Sequence, residues 1–170
     1  MASNHVTQLR SIGEPARQYL WEAIIPGSLP GGTGGGGNDN QLFTYRAMST
    51  TLPDSVVEVY EHQFKSDKSN FAGRNASAKT FDVTFIDSTD LFVFKNMTLW
   101  NKYTQTHNKS EYSKDLSLRL LGRTELEPIL LTLTLIQCFP ESVQAVSLDY
   151  ASNDPINIPI TFRYDDTEIS

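Results

Sequence analysis

Apolar and polar residues alternate along most of the chain with a period of two, which is typical of β-strands that bury one face. The stretch KTFDVTFID (79–87) is the clearest example, because Phe81, Val83 and Phe85 share one face and polar residues occupy the other. Strands are predicted over eight ranges: 19–25, 41–48, 55–64, 79–87, 115–122, 128–139, 145–150 and 156–166.

The period changes over residues 88–107, where apolar residues recur at helical spacing. Those residues are Leu91, Phe94, Met97 and Trp100. Ser88 or Thr89 is expected to cap the first turn, since a hydroxyl oxygen accepts a hydrogen bond from an unpaired N–H there. One long helix is therefore predicted over 88–107.

Eight strands and one helix predict a mainly β (α+β) fold. Most connections are short, which favours antiparallel pairing. The chain has 170 residues and no internal repeat, so a single domain is predicted over 1–170. Its parts are an N-terminal arm (1–15), a glycine-rich hairpin loop (26–40), a polar connecting loop (65–79) and the helix (88–107).

Charge and cysteine content limit the classes of protein that fit the sequence. The net charge is −6, which argues against a general nucleic-acid binder, because such proteins neutralise phosphates with Lys and Arg. Cys138 is the only cysteine, so the chain forms no intrachain disulfide. No apolar stretch has the length of a signal peptide core or a membrane span. We interpret the protein as one made and used in a reducing cytoplasm, or in an assembly built there.

The glycine-rich stretch SLPGGTGGGGNDNQ (28–41) contains the spacing G-x-G-x-x-G at Gly32, Gly34 and Gly37. A phosphate-binding turn of this kind needs a strand before it and a helix after it. Because a strand is predicted on both sides of the loop, we interpret it as a flexible hairpin tip and expect no cofactor.

Residues that carry catalysis or bind metals are sparse. His5, His62 and His107 lack the spacing of metal ligands, and no G-x-S-x-G nucleophile turn occurs. The stretch DYASND (149–154) lacks the spaced ligands of a known calcium loop. Cys138 is most simply a buried core residue. We therefore predict no catalytic or metal site and a protein that is not an enzyme.

Five stretches, taken together and in order, resemble the tail-tube proteins of contractile-tailed bacteriophages, the family that includes the tube of the T-even phages. The order holds from near residue 10 to residue 166. The stretches are ARQYLWEAII (16–25), AMSTTLPDSVVE (47–58), KTFDVTFID (79–87), CFPESV (138–143) and SLDYASNDPINIPITFRYD (147–165).

The resemblance implies two packed antiparallel sheets, a β-sandwich or partial barrel, with one flanking helix. Six copies would form a ring in which strands of neighbouring subunits join into one β-barrel, and stacked rings would form the inner tail tube. Closing strands between subunits removes exposed sheet edges. The implied function is structural: the tube delivers phage DNA.

The resemblance also implies the surroundings. The protein would lie in the virion tail after assembly in the host cytoplasm, with the tail sheath protein outside the tube. The tape measure protein and DNA would occupy the lumen without sequence-specific binding, and baseplate and tail terminator proteins would cap the ends. An acidic channel suits this role, because it repels DNA.

Two groups of residues are predicted to serve assembly. A strand hairpin over 41–66 is expected to present a polar face to the lumen, with Thr44, Arg46, Glu61 and Gln63 as candidates. The loop 65–79 is expected to contact the adjoining ring or subunit, with Lys68, Asn70, Phe71 and Arg74 as candidates.

Alternatives remain at this point. The tube initiator, a baseplate protein and the tube of type VI secretion share the implied fold. A β-sandwich that binds carbohydrate or a partner through exposed aromatic residues is a different class, and a hydrolase on a β scaffold is a third. The glycine-rich loop is longer than the family needs, and the polar segment 107–127 matches the family weakly, so strand register is open there.

Overall fold

Antiparallel strand pairs dominate the structure. The computed structural model describes residues 18–32, 39–65, 67–122, 129–146 and 154–170. The strands in these ranges are β1 (Trp21–Ile24), β2 (Ala47–Thr50), β3 (Val57–Phe64), β4 (Asp67–Asn75), β5 (Thr80–Ile86), β6 (Lys114–Leu121), β7 (Ile129–Val143), β8 (Asn157–Arg163) and β9 (Asp166–Ile169). The helices are α1 (Asp39–Arg46), α2 (Phe92–Thr104) and α3 (Lys109–Tyr112).

The 15-residue strand β7 belongs to two sheets. Its first part pairs with β6 on one side and β9 on the other, and β1 extends this first sheet beyond β6. Its last part pairs with β8, and the second sheet continues through β5 to β2. Two antiparallel sheets with a flanking helix confirm the predicted mainly β fold.

The apolar side chains of both sheets meet α2 in one core. From the first sheet come Leu116 and Leu135, and from the second Phe85 and Ile160, all with at most 2% exposure. Trp100 of α2 is fully buried, and its indole N–H donates to the Tyr112 carbonyl at 2.7 Å. Burying an aromatic ring while satisfying its N–H makes Trp100 a strong anchor for the helix.

A buried ion pair joins α1 to the start of α2. The Asp87 side chain is fully buried and accepts a hydrogen bond from the Arg46 guanidinium at 2.8 Å. It also accepts the backbone N–H groups of Val93 and Phe94 in the first turn of α2. These N–H groups have no partner within the helix, so Asp87 provides the cap that Ser88 or Thr89 was predicted to provide.

The strand predicted over 41–48 is wrong for its first six residues, which form the end of α1. Phe43 is buried whereas Tyr45 is 79% exposed, although alternation placed them on one face. Phe43 and the partly buried Ala47 are four residues apart, and this spacing fits one face of a helix as well as it fits one face of a strand. The packing of Phe43 against Phe85 and Phe92 stabilises the helix in the folded chain.

Two further predictions differ from the structure. Strands β1 and β2 do not form a hairpin around 26–40, because β1 pairs with β6 and β2 with β5. Residues 33–38 of that loop lie outside the described residues, as do the predicted arm 1–15 and residues 147–150 of the strand predicted over 145–150. The segment 65–79 is largely strand β4, not a loop.

Replacing Asp87 with Ala is expected to lower the free energy of unfolding by about 2–4 kcal/mol, since it removes a buried ion-pair partner and the cap of α2. The matched control is Asp90→Ala, because Asp90 also binds Arg46 but its side chain is 51% exposed. That variant is expected to lose less than about 1 kcal/mol. Urea unfolding followed by circular dichroism measures both. Equal losses in the two variants would contradict the account.

Candidate assembly surfaces

The β3–β4 hairpin stands apart from the rest of the fold. It forms its own two-stranded sheet, and every residue of both strands is exposed. It makes no substantial contact with another described helix or strand. An isolated two-stranded hairpin is at best marginally stable in water. Its strands therefore need a partner that the monomer does not provide.

The register of the hairpin separates two faces of different chemistry. Tyr60 lies opposite Phe71, and His62 and Phe64 project from the same side; we call this the aromatic face. Tyr60, Phe64 and Phe71 are each between 55% and 68% exposed. Asp67 lies opposite Phe64 and Ser69 opposite His62 on the same face, so polar residues separate the aromatic ones. Exposed aromatic side chains gathered on one face still indicate an interaction surface.

The opposite side of the hairpin is called its polar face, although the opposed pair Val59 and Ala72 also lies on it. It carries Glu61, Gln63, Lys68 and Asn70, with Glu61 directly opposite Asn70 and Gln63 opposite Lys68. Glu61 and Lys68 form an ion pair at 2.8 Å. The structure thus brings together two residues predicted for the lumen and two predicted for contacts between rings. Phe71 projects from the aromatic face, and Arg74 lies on β4 near the base of the hairpin.

Thr44 and Arg46 do not join this surface, because the predicted hairpin over 41–66 does not exist. Both lie on α1. The Thr44 hydroxyl donates to the Ala23 carbonyl at 2.9 Å, which satisfies an edge group of β1. Arg46 is held by Asp87 and Asp90.

The Arg46–Asp90 contact depends on pH in a defined direction. The hydrogen bond from Arg46 lowers the pKa of Asp90 below its ordinary value of 3.8. The contact therefore stabilises the folded chain above that ordinary value, and this contribution is lost as the pH falls through the lowered pKa.

A second polar surface lies on the outer face of the second sheet. In β5, Asp82 and Thr84 alternate with buried aromatic and aliphatic residues, and in β8 Thr161 and Arg163 do the same. The Thr161 hydroxyl donates to the Asp82 carboxylate at 2.6 Å. Arg163 binds Glu141 of β7 through two nitrogens, at 2.8 and 3.0 Å. The polar side chains are thus paired with one another.

The alternation of polar and apolar residues in β5 was the sequence feature that indicated this polar surface. Residues 79–87 were predicted as a strand with one polar face, but nothing in the sequence showed that the polar residues of β8 lie next to it. That juxtaposition follows from the β5–β8 register, in which Asp82 is opposite Thr161.

An apolar groove opens where the edges of the two sheets approach each other. Its volume is about 530 Å³, and it lies between β1 and β6 on one side and β2 with the following residues on the other. Trp21, Leu118 and Leu120 form one wall. Met48 and Leu52 form the other and are each more than half exposed. Arg119 is the one charged residue that lines it.

The residues considered above as catalytic or metal-binding candidates do not form such a site within the described part of the chain. Cys138 is fully buried, and burial raises the pKa of its thiol, which disfavours the reactive thiolate. Among the described residues, no cluster of His, Cys, Asp or Glu has the arrangement of a metal site. Residues 149–153 of the considered calcium loop lie outside the described residues.

A helix does follow the glycine motif, contrary to the prediction of a strand there. The helix α1 begins at Asp39, but a dinucleotide-binding turn also needs a strand of a parallel sheet before it. The strand before it, β1, lies in an antiparallel sheet rather than in the parallel βαβ unit of a dinucleotide-binding fold. Absence of a cofactor stays a prediction.

Comparisons with known proteins agree with this architecture. The model of the phage tail tube protein family matches residues 27–170. A search of curated proteins finds no significant match. No described helix has the length and apolar character needed to cross a bilayer.

Solved structures share the fold at low sequence identity. The tube terminating cap of the anti-feeding prophage is 18% identical, with a TM-score of 0.67 over 92% of this chain and 91% of that chain. The sheath/tube terminator of PVC, an extracellular contractile injection system, is 18% identical, with a TM-score of 0.65 over 94% and 99%. A chain of the PVC sheath–tube complex is 17% identical, with a TM-score of 0.61 over 96% and 97%.

The family match and the shared fold together give the class of this chain. The chain belongs to the phage tail tube protein family, whose model covers most of its length. The resemblance found in the sequence is confirmed. The family and the similar structures consist of structural tube and cap proteins, not enzymes.

The isolated hairpin generates a direct test. In the monomer, backbone amides of β3 and β4 are expected to exchange hydrogen at least about a hundredfold faster than those of β8, because nothing packs on the hairpin. Hydrogen–deuterium exchange with mass spectrometry measures both segments in one sample. Protection of the hairpin equal to that of β8 in a verified monomer would contradict the assignment.

Proposed function

We propose that the protein forms stacked hexameric rings of the inner tail tube through which phage DNA is delivered. The unpartnered β3–β4 hairpin carries this proposal, since a solvated two-stranded sheet with an aromatic face calls for a second chain. Further support comes from sheet edges. Within the described residues, β2 pairs only with β5 and β9 only with β7, so each has an edge available to a neighbouring subunit.

The lumen is proposed to be lined by the outer face of the second sheet and the polar face of the hairpin. Asp82, Thr84 and Thr161 offer hydroxyl and carboxylate groups, and Glu61 and Gln63 extend this chemistry along the hairpin. Arg163 and Lys68, which lie on this surface, are each paired with a carboxylate, and the net charge of −6 repels DNA. Thr44 and Arg46 are left out of the lumen, because their partners lie within the chain.

The remaining surroundings are part of the same proposal. Because the core lies between the sheets, their outer faces point in opposite directions. With the second sheet at the lumen, the outer face of the first sheet would point toward the tail sheath protein. The tape measure protein and DNA would pass through the lumen without sequence-specific contacts, and baseplate and terminator proteins would bind the tube ends. The protein would belong to the virion tail and assemble in the host cytoplasm.

A tube initiator, a baseplate protein or a type VI-like tube would use the same fold, and the length of the assembly distinguishes them. A main tube protein alone should form long rods, whereas an initiator or a cap should stop at single rings. A monomeric β-sandwich that binds a partner would form neither. The exposed aromatic residues of the hairpin are the feature that such a binding module would use.

Replacing residues 58–74 with Asn-Gly is expected to leave a folded monomer and abolish tubes. The replacement closes β3 and β4 at the Val57–Asn75 pair with a two-residue turn, and it removes both strands so that neither is left unpaired. Negative-stain electron microscopy counts rods, and thermal unfolding by circular dichroism checks the fold. Rods of normal length from this variant, with the parent protein forming rods alongside, would overturn the role of the hairpin.

A further inference from the structure

The inner face of the first sheet extends one row of apolar side chains beyond the part that the rest of the fold covers. The strand register sets these rows, since residues two apart share a face. The covered row, in which every side chain is at most 8% exposed, consists of Ala23, Leu118 and Leu133. The next row, which is only half-buried, consists of Trp21, Leu120 and Leu131. The cover over the sheet therefore stops between two adjacent apolar rows.

This step opens into the apolar groove of about 530 Å³. Met48 and Leu52 form its opposite wall and are each more than half exposed. The charged lining residue, Arg119, is already paired with Glu22 at 3.2 Å, so the groove offers an occupant mainly apolar contacts. Because protein interiors are close-packed, an open apolar volume next to the core leaves side chains without contacts. The groove therefore calls for an apolar occupant.

The chain itself enters the described fold at this groove. Gln18, the first described residue, is one of the residues that line it. Gln18 and Tyr19 form a turn directly before β1, and a turn of this kind changes the direction of the chain. The seventeen residues that precede Gln18 are thus attached at the mouth of the groove. None of the described helices and strands occupies it.

We propose that residues 6–12 of the same copy occupy this groove. The segment has the sequence VTQLRSI and carries three branched aliphatic side chains, those of Val6, Leu9 and Ile12. An apolar cavity of about 150 Å³ holds one benzene molecule. A groove of about 530 Å³ therefore has room for all three side chains. Six residues of extended chain span up to about 20 Å, so Ile12 can reach the groove from Gln18.

Attachment through Gln18 favours the segment of the same copy over that of another copy. A short link keeps the segment near the groove at an effective concentration of about a millimolar or more. A second copy reaches that concentration only in an assembly. Occupancy by the segment would shield Trp21 and Leu52 in the free monomer, before any tube forms. It is therefore independent of the proposed tube.

Site-specific photo-crosslinking in the monomer tests where the segment lies. A photoreactive phenylalanine analogue replaces Leu52, half of the protein carries ¹⁵N, and crosslinked peptides are identified by mass spectrometry. We expect position 52 to capture residues 6–12 of a chain with the same isotope label. The matched control places the analogue at Tyr45, which is exposed outside the groove and should not capture this segment. Capture of another segment, capture of a chain with the other label, or equal capture from both positions would overturn the inference.

A pair of variants tests the side chains that fill the groove. Leu9→Asp would place an unpaired charge among apolar side chains and is expected to release the segment, whereas Gln8→Asp changes a neighbouring polar residue. The fluorescence of the dye ANS, which binds exposed apolar surface, should rise at least about threefold in Leu9→Asp and stay within about 1.3-fold in Gln8→Asp. Circular dichroism checks that both variants fold.

Equal dye fluorescence in the two folded variants would overturn the occupancy of the groove. The proposed tube would be untouched by that result, because rods of the parent protein are counted separately by electron microscopy. A parent protein that forms no rods would contradict the proposed tube and leave both measurements on the monomer valid.

Discussion

The bend in β7 is the constraint on which the two-sheet arrangement depends. Leu133 and Leu135 face the core before it and Cys138 and Pro140 after it, so the buried side changes from odd to even residues. Gln137 makes this switch with a φ of 54°, and its N–H, turned out of the ladder, donates to the Asp115 carboxylate at 2.9 Å. A non-glycine residue in this region costs about 1–3 kcal/mol and persists because packing on both sides determines it. One strand can thereby bury apolar residues in both sheets and leave two polar outer faces.

That arrangement explains why the described part of the chain leaves both the hairpin and the groove uncovered. Helix α2 covers part of the core, and Asn101 on it donates to the Pro140 carbonyl at 2.8 Å, but the β1 and β2 edges stay apart. The exposed aromatic residues of the hairpin and the apolar walls of the groove are both costly to leave in contact with water. Under the proposed assembly, such a subunit would gain its full packing only in contact with other copies, which is the behaviour that a tube protein requires.

Alternation was sufficient to predict most of the sheets, because residues such as Phe81, Val83 and Phe85 must bury one face whatever lies next to them. It failed at Phe43, where apolar spacing fitted both a strand and a helix, and only contacts with Phe85 and Phe92 decide. The hairpin partners Glu61 and Asn70 were both singled out, but on separate surfaces, since the sequence does not give the register that places them opposite each other. The groove was not predicted, because it is formed by the absence of pairing between distant strands.

A cryo-electron microscopy reconstruction of the purified protein after assembly tests the central claim most directly. We predict a hollow tube of stacked rings with six subunits each, a continuous inner barrel, and Asp82 and Thr161 of every subunit facing the lumen. A reconstruction without a lumen, or one in which the outer face of the second sheet points away from the axis, would contradict the account.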